Sequence, residues 1–568
     1  MLKFGKIQFT LEQCFLALII FVAAYLAIDK RFIQDDAYIS FVYARNFAEG
    51  HGLRWYPGSD EYGYTNFLFT VMVGILMKFG FSPEFASYML TFPAALISLP
   101  LVYGIGKKIT RSSIPAWAAT VALATNHTFL SYATGGLETS VVLCLVYTVY
   151  YLALHWEEDL KHSRIIIISL FAVLSLLIRL DSAILLVPAY VFLLWGLRKQ
   201  LLPNGRVNIR VFLRFAVNAS ALPLCGVSVV LGFCYWYYGY ALPTTFHAKL
   251  DSWYVIEGLS YIYAFVRAQF FVPAIYIMVW FFSIRLDDLS RINDRYTWLL
   301  SSSIMLWMLY ILHTGGDFME FRFILPILPF FYLLMFKLLV DLLLQSSRKR
   351  LLYFLLFLSL VGNYAQPYYF SKKSMDENFI ESTFQLNDWV AGEPYNWSFL
   401  GKRLKELFYT GSEEDVKLAV TAAGAISYYS ELPVVDRHGL NTRRVLLDGN
   451  TFEHIARPGH RRKSKIAFLA NNGVNLVIDH PIFVKKLGNR FTCIPAPMKI
   501  SHEPLKDIMP VFVPLSQDVY LLAHYLIRHP LIEEKIASGE IIKYKNVVKQ
   551  VFCGKNFIIP GYEEPKSS

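Results

Sequence analysis

The residues best suited to chemistry lie between Gln34 and Asn66. There, QDDAYISFVYARNFAEGHGLRWYPGSDEYGYTN places two adjacent carboxylates, Asp35 and Asp36, just after an apolar run. Adjacent carboxylates disfavour each other's ionisation, which moves one of them toward the basicity that a general base needs. An acidic pair this close to lipid is costly unless something uses it. A plainer reading stays open, because an Asp ahead of a helical segment satisfies free amides and favours the helix dipole. One Asp is enough for a cap, and the sequence has two.

A base here would take the proton of an acceptor hydroxyl. If that hydroxyl attacks a sugar carried on a lipid phosphate, the phosphate is already a good leaving group, so the site needs cations more than a proton donor. The candidates are Lys249 in PTTFHAK, Arg322 and His313 in HTGGDFMEFR, Arg179, and Arg45. Each has a second reading. Arg179 and Asp181 would pair to hold a split span together, Lys249 would snorkel to the interface, and Asp317 would pair with Arg322. The glycines ahead of Asp317 would let backbone approach a ligand, or only make a turn. A divalent cation on Asp35 or Asp36 fits the same acids. GIG at Gly104 sits in an apolar run before a basic loop and is no dinucleotide fingerprint. No Walker loop, zincin helix or paired CxxC occurs, and His51, His438 and His460 are scattered.

Such residues have to be positioned by membrane helices. The chain has 568 residues, 55% hydrophobic and only 17% charged, with a mean hydropathy of +0.40. This composition fits a polytopic α-helical membrane protein with an appended soluble part. Apolar runs long enough to cross a bilayer begin at Leu11, Glu84, Ile114, Glu138, Ile165, Ser182, Leu213, Gly258, Thr297, Phe323 and Leu351. Arg179 and Asp181 split the long run from Ile165 to Leu197 in two. The first run has no small-residue cleavage site after it and reads as a retained anchor. Thr65–Gly80 is short for a span and reads as a juxtamembrane helix.

Charge supports that choice. With eleven spans and a cytoplasmic N-terminus, the internal cytoplasmic loops hold sixteen Lys and Arg, and the short loops on the other side hold three. This is the asymmetry of the positive-inside rule. The net charge of +11 is therefore topological, and no aromatic-interleaved basic patch points to nucleic acid. Asp35, Asp36, Glu138, Arg179, Lys249, His313 and Arg322 then share one non-cytoplasmic face. Residues 1–365 form the membrane module, with 29–83 as its catalytic loop. Residues 366–568 change texture to mixed helical and alternating runs, a soluble α/β domain that roofs the site on that face.

The blocks DDAYISFVYARNFAEGHGL and GYTNFLF resemble the first non-cytoplasmic loop of terminal β-arabinofuranosyltransferases of mycobacterial cell-wall assembly and their bacterial relatives. The similarity continues through GGLETS, IRLDSA, LPTTFHAK, GGDFMEFRFILPILP, GAISYYSELPVVDRHGLN and RPGHRRKS. The resemblance implies a GT-C fold and a sugar, arabinofuranose or another pentose, taken from a polyprenyl phosphate in the bacterial inner membrane. It implies Asp35 and Asp36 as the catalytic pair and the blocks of Lys249, Asp317 and Arg322 as donor-site elements. Tyr64, Asn66, Glu138, Asp317, Asp436 and His460 are expected to bind substrate. The acceptor is expected to be a cell-envelope glycan, or alternatively a surface protein such as a pilin. The sequence departs from the pattern at Tyr62, where relatives carry an acid before GYTN, at Leu180 and at Ala422.

A transporter of lipid-linked sugars is the rival from another class. It would show repeat symmetry and broken helices in both halves, and neither is legible. Cys493 and Cys553 stand alone in the tail, which this topology places in an oxidising compartment, so a disulfide between them is expected.

Overall fold

In the computed structural model the described residues run from 2 to 552, except 5–6, 111, 158–160, 204–206, 250–252, 270–293, 344–348, 373–379, 413, 452–458, 489, 495–507 and 544–550. Among them, five helices are long and apolar enough to cross a membrane: Leu11–Asp29, Pro83–Ile109, Thr139–Trp156, Ile209–Tyr238 and Arg295–Thr314. Shorter apolar helices such as Ser113–Thr125 and His162–Ile178 accompany them. The chain is a multi-pass helical membrane protein.

The run from Ile165 is broken where its charges fall. The His162–Ile178 helix stops before Arg179, Leu180–Ser182 make one tight turn, and Ala183–Gly196 resumes the helix. Two other runs differ from a single unbroken span, one by dividing and one by starting late. The run at Ile114 forms Ser113–Thr125 and then a separate His127–Tyr132 helix. Asn126 leaves the helix between them, and its side-chain oxygen accepts the Phe129 N–H at 3.0 Å, capping the second piece. The run at Phe323 becomes α-helical only at Leu328, since Pro326 and Pro329 lack an N–H and restrict the residues before them. The run at Gly258 belongs to Val255–Ala268, and the residues that follow lie outside the described set.

The Thr65–Gly80 segment holds a helix of 12 residues, Phe67–Lys78. At 1.5 Å per residue that is about 18 Å, short of a hydrocarbon core of about 30 Å. It packs on the Asp35–Ala48 helix, where a Cβ on Gly74 would come within 3.0 Å of the Ala44 carbonyl.

The Lys349–Lys372 helix carries the chain past residue 365 and into the tail. The tail is α/β. Its strands lie in the order Ile542–Lys543, Met509–Pro514, Val519–Tyr525, Leu476–Leu487, Leu418–Val420, Val434–Asp436. Leu418–Val420 runs parallel to both of its neighbours, and its three residues are all buried, as befits a strand covered on both faces. The remaining pairs along that path are antiparallel. One continuous apolar core extends from Ile19 in the first span to Ile532 in the tail. The roof is therefore packed onto the membrane module, and the acids after the first span lie at that junction.

Candidate active site

The Asp35–Ala48 helix presents two faces, and its periodicity decides which acid goes where. Asp36, Ile39 and Ser40 stand at i, i+3 and i+4, on one face. They line a cavity of about 450 Å³. Asp35, Tyr38 and Arg45 share the opposite face, which meets the tail. The Asp35 carboxylate accepts the Ala425 N–H at 2.7 Å and the Gly424 N–H at 3.0 Å. Tyr38 donates to Glu84 at 2.8 Å and lies 3.1 Å from the Tyr429 hydroxyl. Arg45 donates to the Tyr428 carbonyl at 2.5 Å and sits 3.7 Å from Glu431.

One expectation is corrected here: Arg45 is held by the tail and does not line the large cavity, so it does not face a donor phosphate there. Asp35 caps amides, although those it satisfies begin a tail helix, Ala425–Ser430, and not its own, and it also lines a second, smaller space together with Asp36. Burial between helix and tail pushes the Asp35 carboxyl up to about 7; the two amides oppose that shift and the charge of Asp36 adds to it.

At the polar end of the large cavity, Arg179 donates to Glu138 at 2.8 Å and forks onto Asp181. Glu138 in turn accepts from Asn66 at 2.7 Å. Asn66 Oδ1 takes hydrogen bonds from Ser40 and Thr70. Tyr310 donates to Asp181 at 3.0 Å. Arg179 is ion-paired, as one of its readings has it, and it also lines the cavity. Arg322 also lines the cavity and is held by buried Asp317 at 2.6–2.7 Å. The residue before Arg322, Phe321, has φ +44°, a conformation that bulky side chains rarely adopt. Such strain persists where the surroundings over-determine it, as at ligand sites.

Tyr64 lines the same cavity, with its hydroxyl 3.1 Å from that of Tyr238. His313 does too, lying edge-on to Trp253. The LPTTFHAK block is tied to the segment after the Asp35–Ala48 helix by Thr244 N–H on the Tyr62 carbonyl and Thr245 Oγ1 on the Gly63 carbonyl. Lys249 ends that block's helix, and its side chain lies outside the described set. The apolar part of the cavity's lining comes from two membrane helices, Leu176 and Leu177 of one and Val227, Val230 and Leu231 of the other.

A second cavity, of about 80 Å³, lies on the other side of Asp36. Asp36, Ile39 and Leu440 are walls of both. Asp436 and His460 line this smaller space. Asp436 closes its own turn, accepting N–H bonds from His438 and Asn441, each at 2.9 Å. Burial pushes its carboxyl up to about 6. His460 packs edge-on to Phe318 and lies 4.7 Å from the His438 ring.

Among the described residues no group of three or more His, Cys, Asp and Glu is placed to hold a metal ion. Cys493 is disulfide-bonded; Cys553, its expected partner, lies outside the described residues. Sequence reasoning missed Gln34, Trp389 and Trp397, all of which line the smaller cavity. Only the position of Gln34 beside the acids hinted at a role.

Residues 395–511 match a family described as a domain of unknown function, DUF8728. No curated protein matches the chain. Among solved structures, the chain resembles ArnT from Cupriavidus metallidurans bound to undecaprenyl phosphate. The identity is 11%, over 90% of this chain and 97% of that one, with a TM-score of 0.52. The apo state of the same protein gives the same identity and coverage with a TM-score of 0.50. The arabinosyltransferase EmbB from Mycobacterium smegmatis covers 89% of this chain and 47% of its own length at 12% identity, with a TM-score of 0.38; that likeness bears no weight. The ArnT likeness is one of fold, and the fold is GT-C.

Proposed function

We propose that the chain is an integral-membrane glycosyltransferase that moves a sugar from a polyprenyl-phosphate donor to a hydroxyl of a cell-envelope glycan. The observation that carries this reading is the position of Asp36 on the wall of two cavities, one large with a partly apolar lining and one small and polar. The large cavity takes the lipid phosphate and its sugar. The small one takes the acceptor. Asp36 removes the acceptor proton as the hydroxyl oxygen bonds to the anomeric carbon, and the sugar–phosphate bond breaks with its electron pair on the departing phosphate. The solved ArnT complex with undecaprenyl phosphate supports a lipid of this class. A pentofuranose such as arabinofuranose is the sugar that the sequence resemblance favours, and the bacterial inner membrane is the location. The catalytic loop and tail then face away from the cytoplasm.

Charge makes one further demand. Arg179 is matched by Glu138 and Asp181, Arg322 by Asp317, and Asp36 adds another carboxylate. Two guanidinium groups among four carboxylates do not by themselves attract an anion. The anionic donor needs an added cation, and Lys249 is the candidate that the sequence offers, in the block whose Pro243, Thr245 and Phe246 line the cavity.

A transporter reading gives Asp36 no task. The test is turnover: purified full-length protein with polyprenyl-phosphate-linked pentoses and hexoses, following release of polyprenyl phosphate on addition of envelope glycan. Release with one donor class is expected, and release with none overturns the proposal. Mass analysis of surface glycans from a deletion strain against its parent identifies the sugar.

A further inference from the structure

The small cavity holds more polar capacity than the described chain uses. Gln34 is fully buried, and neither its side-chain oxygen nor its nitrogen has a partner among the described residues. Trp389 and Trp397, 6% and 8% exposed, both leave their indole N–H unpartnered, and the Thr421 hydroxyl does the same. All four residues line this one space beside Asp36. A buried polar group without a partner costs about 1–3 kcal/mol. Four residues from three parts of the chain, each lining this one cavity and each with a buried polar atom unpartnered among the described residues, make a site built for something that satisfies them.

The chemistry of the orphans describes the ligand. Gln34 offers one donor set and one acceptor, Thr421 offers both, and the indoles only donate. Trp389 and Trp397 stack on each other, with ring centroids 5.0 Å apart and planes 13° from parallel. Their faces are partly used against each other, so they offer N–H edges. The matching ligand carries several hydroxyls on a compact frame. Asp36 and Glu381 also line the wall, so an anionic ligand is repelled there, while Asp35 and Asp436, pushed up to about 7 and about 6 by burial, carry less of that charge beside His438, His460 and His480. We infer that Gln34, Trp389, Trp397 and Thr421 form the acceptor subsite, and that it takes the terminal ring of a neutral saccharide, excluding uronic acids and phosphorylated sugars. This inference rests on the transferase reading above and assigns the acceptor class for the same reaction.

The test measures equilibrium binding of neutral methyl pentosides and methyl hexosides, and of the matching methyl uronides, to full-length protein in detergent. Trp397→Phe and Trp389→Phe remove one N–H each and keep the aromatic packing, and Gln34→Leu removes both amide functions. Expected are saturable binding of a neutral glycoside at least about tenfold tighter than its uronide, and a loss of about tenfold or more in each variant. Polyprenyl phosphate binding, measured on the same preparations, is expected to move less than about twofold, which separates the subsite from a folding defect. Uronide binding equal to neutral binding, no saturable neutral binding, or neutral binding that the three substitutions leave unchanged would each overturn the inference. Donor release by the wild-type protein is followed in parallel. Release alongside an unmoved acceptor affinity defeats the subsite alone, whereas absence of release defeats the transferase reading beneath it.

Discussion

The N–H of Gly424 donates to the carboxylate of Asp35 at 3.0 Å, and the two residues are 389 positions apart in the chain. That bond, with its companion from Ala425, clamps the tail onto the helix that aims Asp36 at the cavity. The next acid along the sequence is thereby oriented by a contact it does not make itself. Glu61 repeats the device, accepting the Arg443 N–H at 3.0 Å.

The clamp leaves no room at Gly424. A Cβ there would lie 1.9 Å from the Asp35 carbonyl oxygen, and backbone cannot yield as a flexible side chain does. Gly424→Ala is therefore expected to destabilise tail docking by about 1–3 kcal/mol. Limited proteolysis of the tail, run against the wild type, measures it; unchanged protection would show that the contact is slack.

Asp35 also sets a pH dependence. Its carboxyl keeps its proton up to about 7 in the fold and releases it near 3.8–3.9 when unfolded. The stability it contributes is complete below about pH 4 and is lost as pH rises through 7. Asp436, raised to about 6, acts in the same direction. Melting temperature is expected to fall between pH 5 and pH 8 and to fall less steeply in Asp35→Asn, whose amide oxygen still accepts an N–H bond. Parallel profiles for the two proteins would remove Asp35 from the account.

Sequence and structure agree most where the signal is local. The break at Arg179 and Asp181, the 12-residue Phe67–Lys78 helix and the α/β tail follow from charge position, run length and alternation. The roles of Asp35 and Asp36 could not be separated that way, because both precede the same helix and only the tail's amides distinguish them. Arg45 shows the same limit: it lies on the Asp35 side of that helix, but what occupies that side is Tyr428 and Glu431, far along the chain. Trp389 and Trp397 carry no mark in the sequence, because only the fold places them beside the smaller cavity.

Lys249 carries the charge argument. Lys249→Gln is expected to raise the KM for the lipid donor by about tenfold or more with a smaller change in kcat, since it removes attraction for the bound anion. The salt dependence of donor binding should weaken along with it. Unaltered donor affinity in steady-state kinetics would return the phosphate to the two arginines alone.

Topology has its own check. Cysteines introduced singly at Ser346 and Ser412, in a Cys225→Ser background, are expected to react oppositely with an impermeant thiol reagent, because the positive-inside rule assigns the basic loops to the inside. In intact spheroplasts Ser412→Cys should label and Ser346→Cys should not. The reverse pattern would turn the chain over in the membrane.

The central claim is that Asp36 is the base and Asp35 the clamp. Sugar transfer from the lipid donor, measured for Asp36→Asn and Asp35→Asn at equal amounts of folded protein, separates the two acids directly. A lost general base costs about 10²–10⁴-fold, so Asp36→Asn should fall by that factor in kcat with donor KM nearly unchanged. Asp35→Asn, which keeps an acceptor oxygen for one of the Gly424 and Ala425 amides and loses the other, should stay within about tenfold of wild type. Transfer at the wild-type rate by Asp36→Asn would contradict the account.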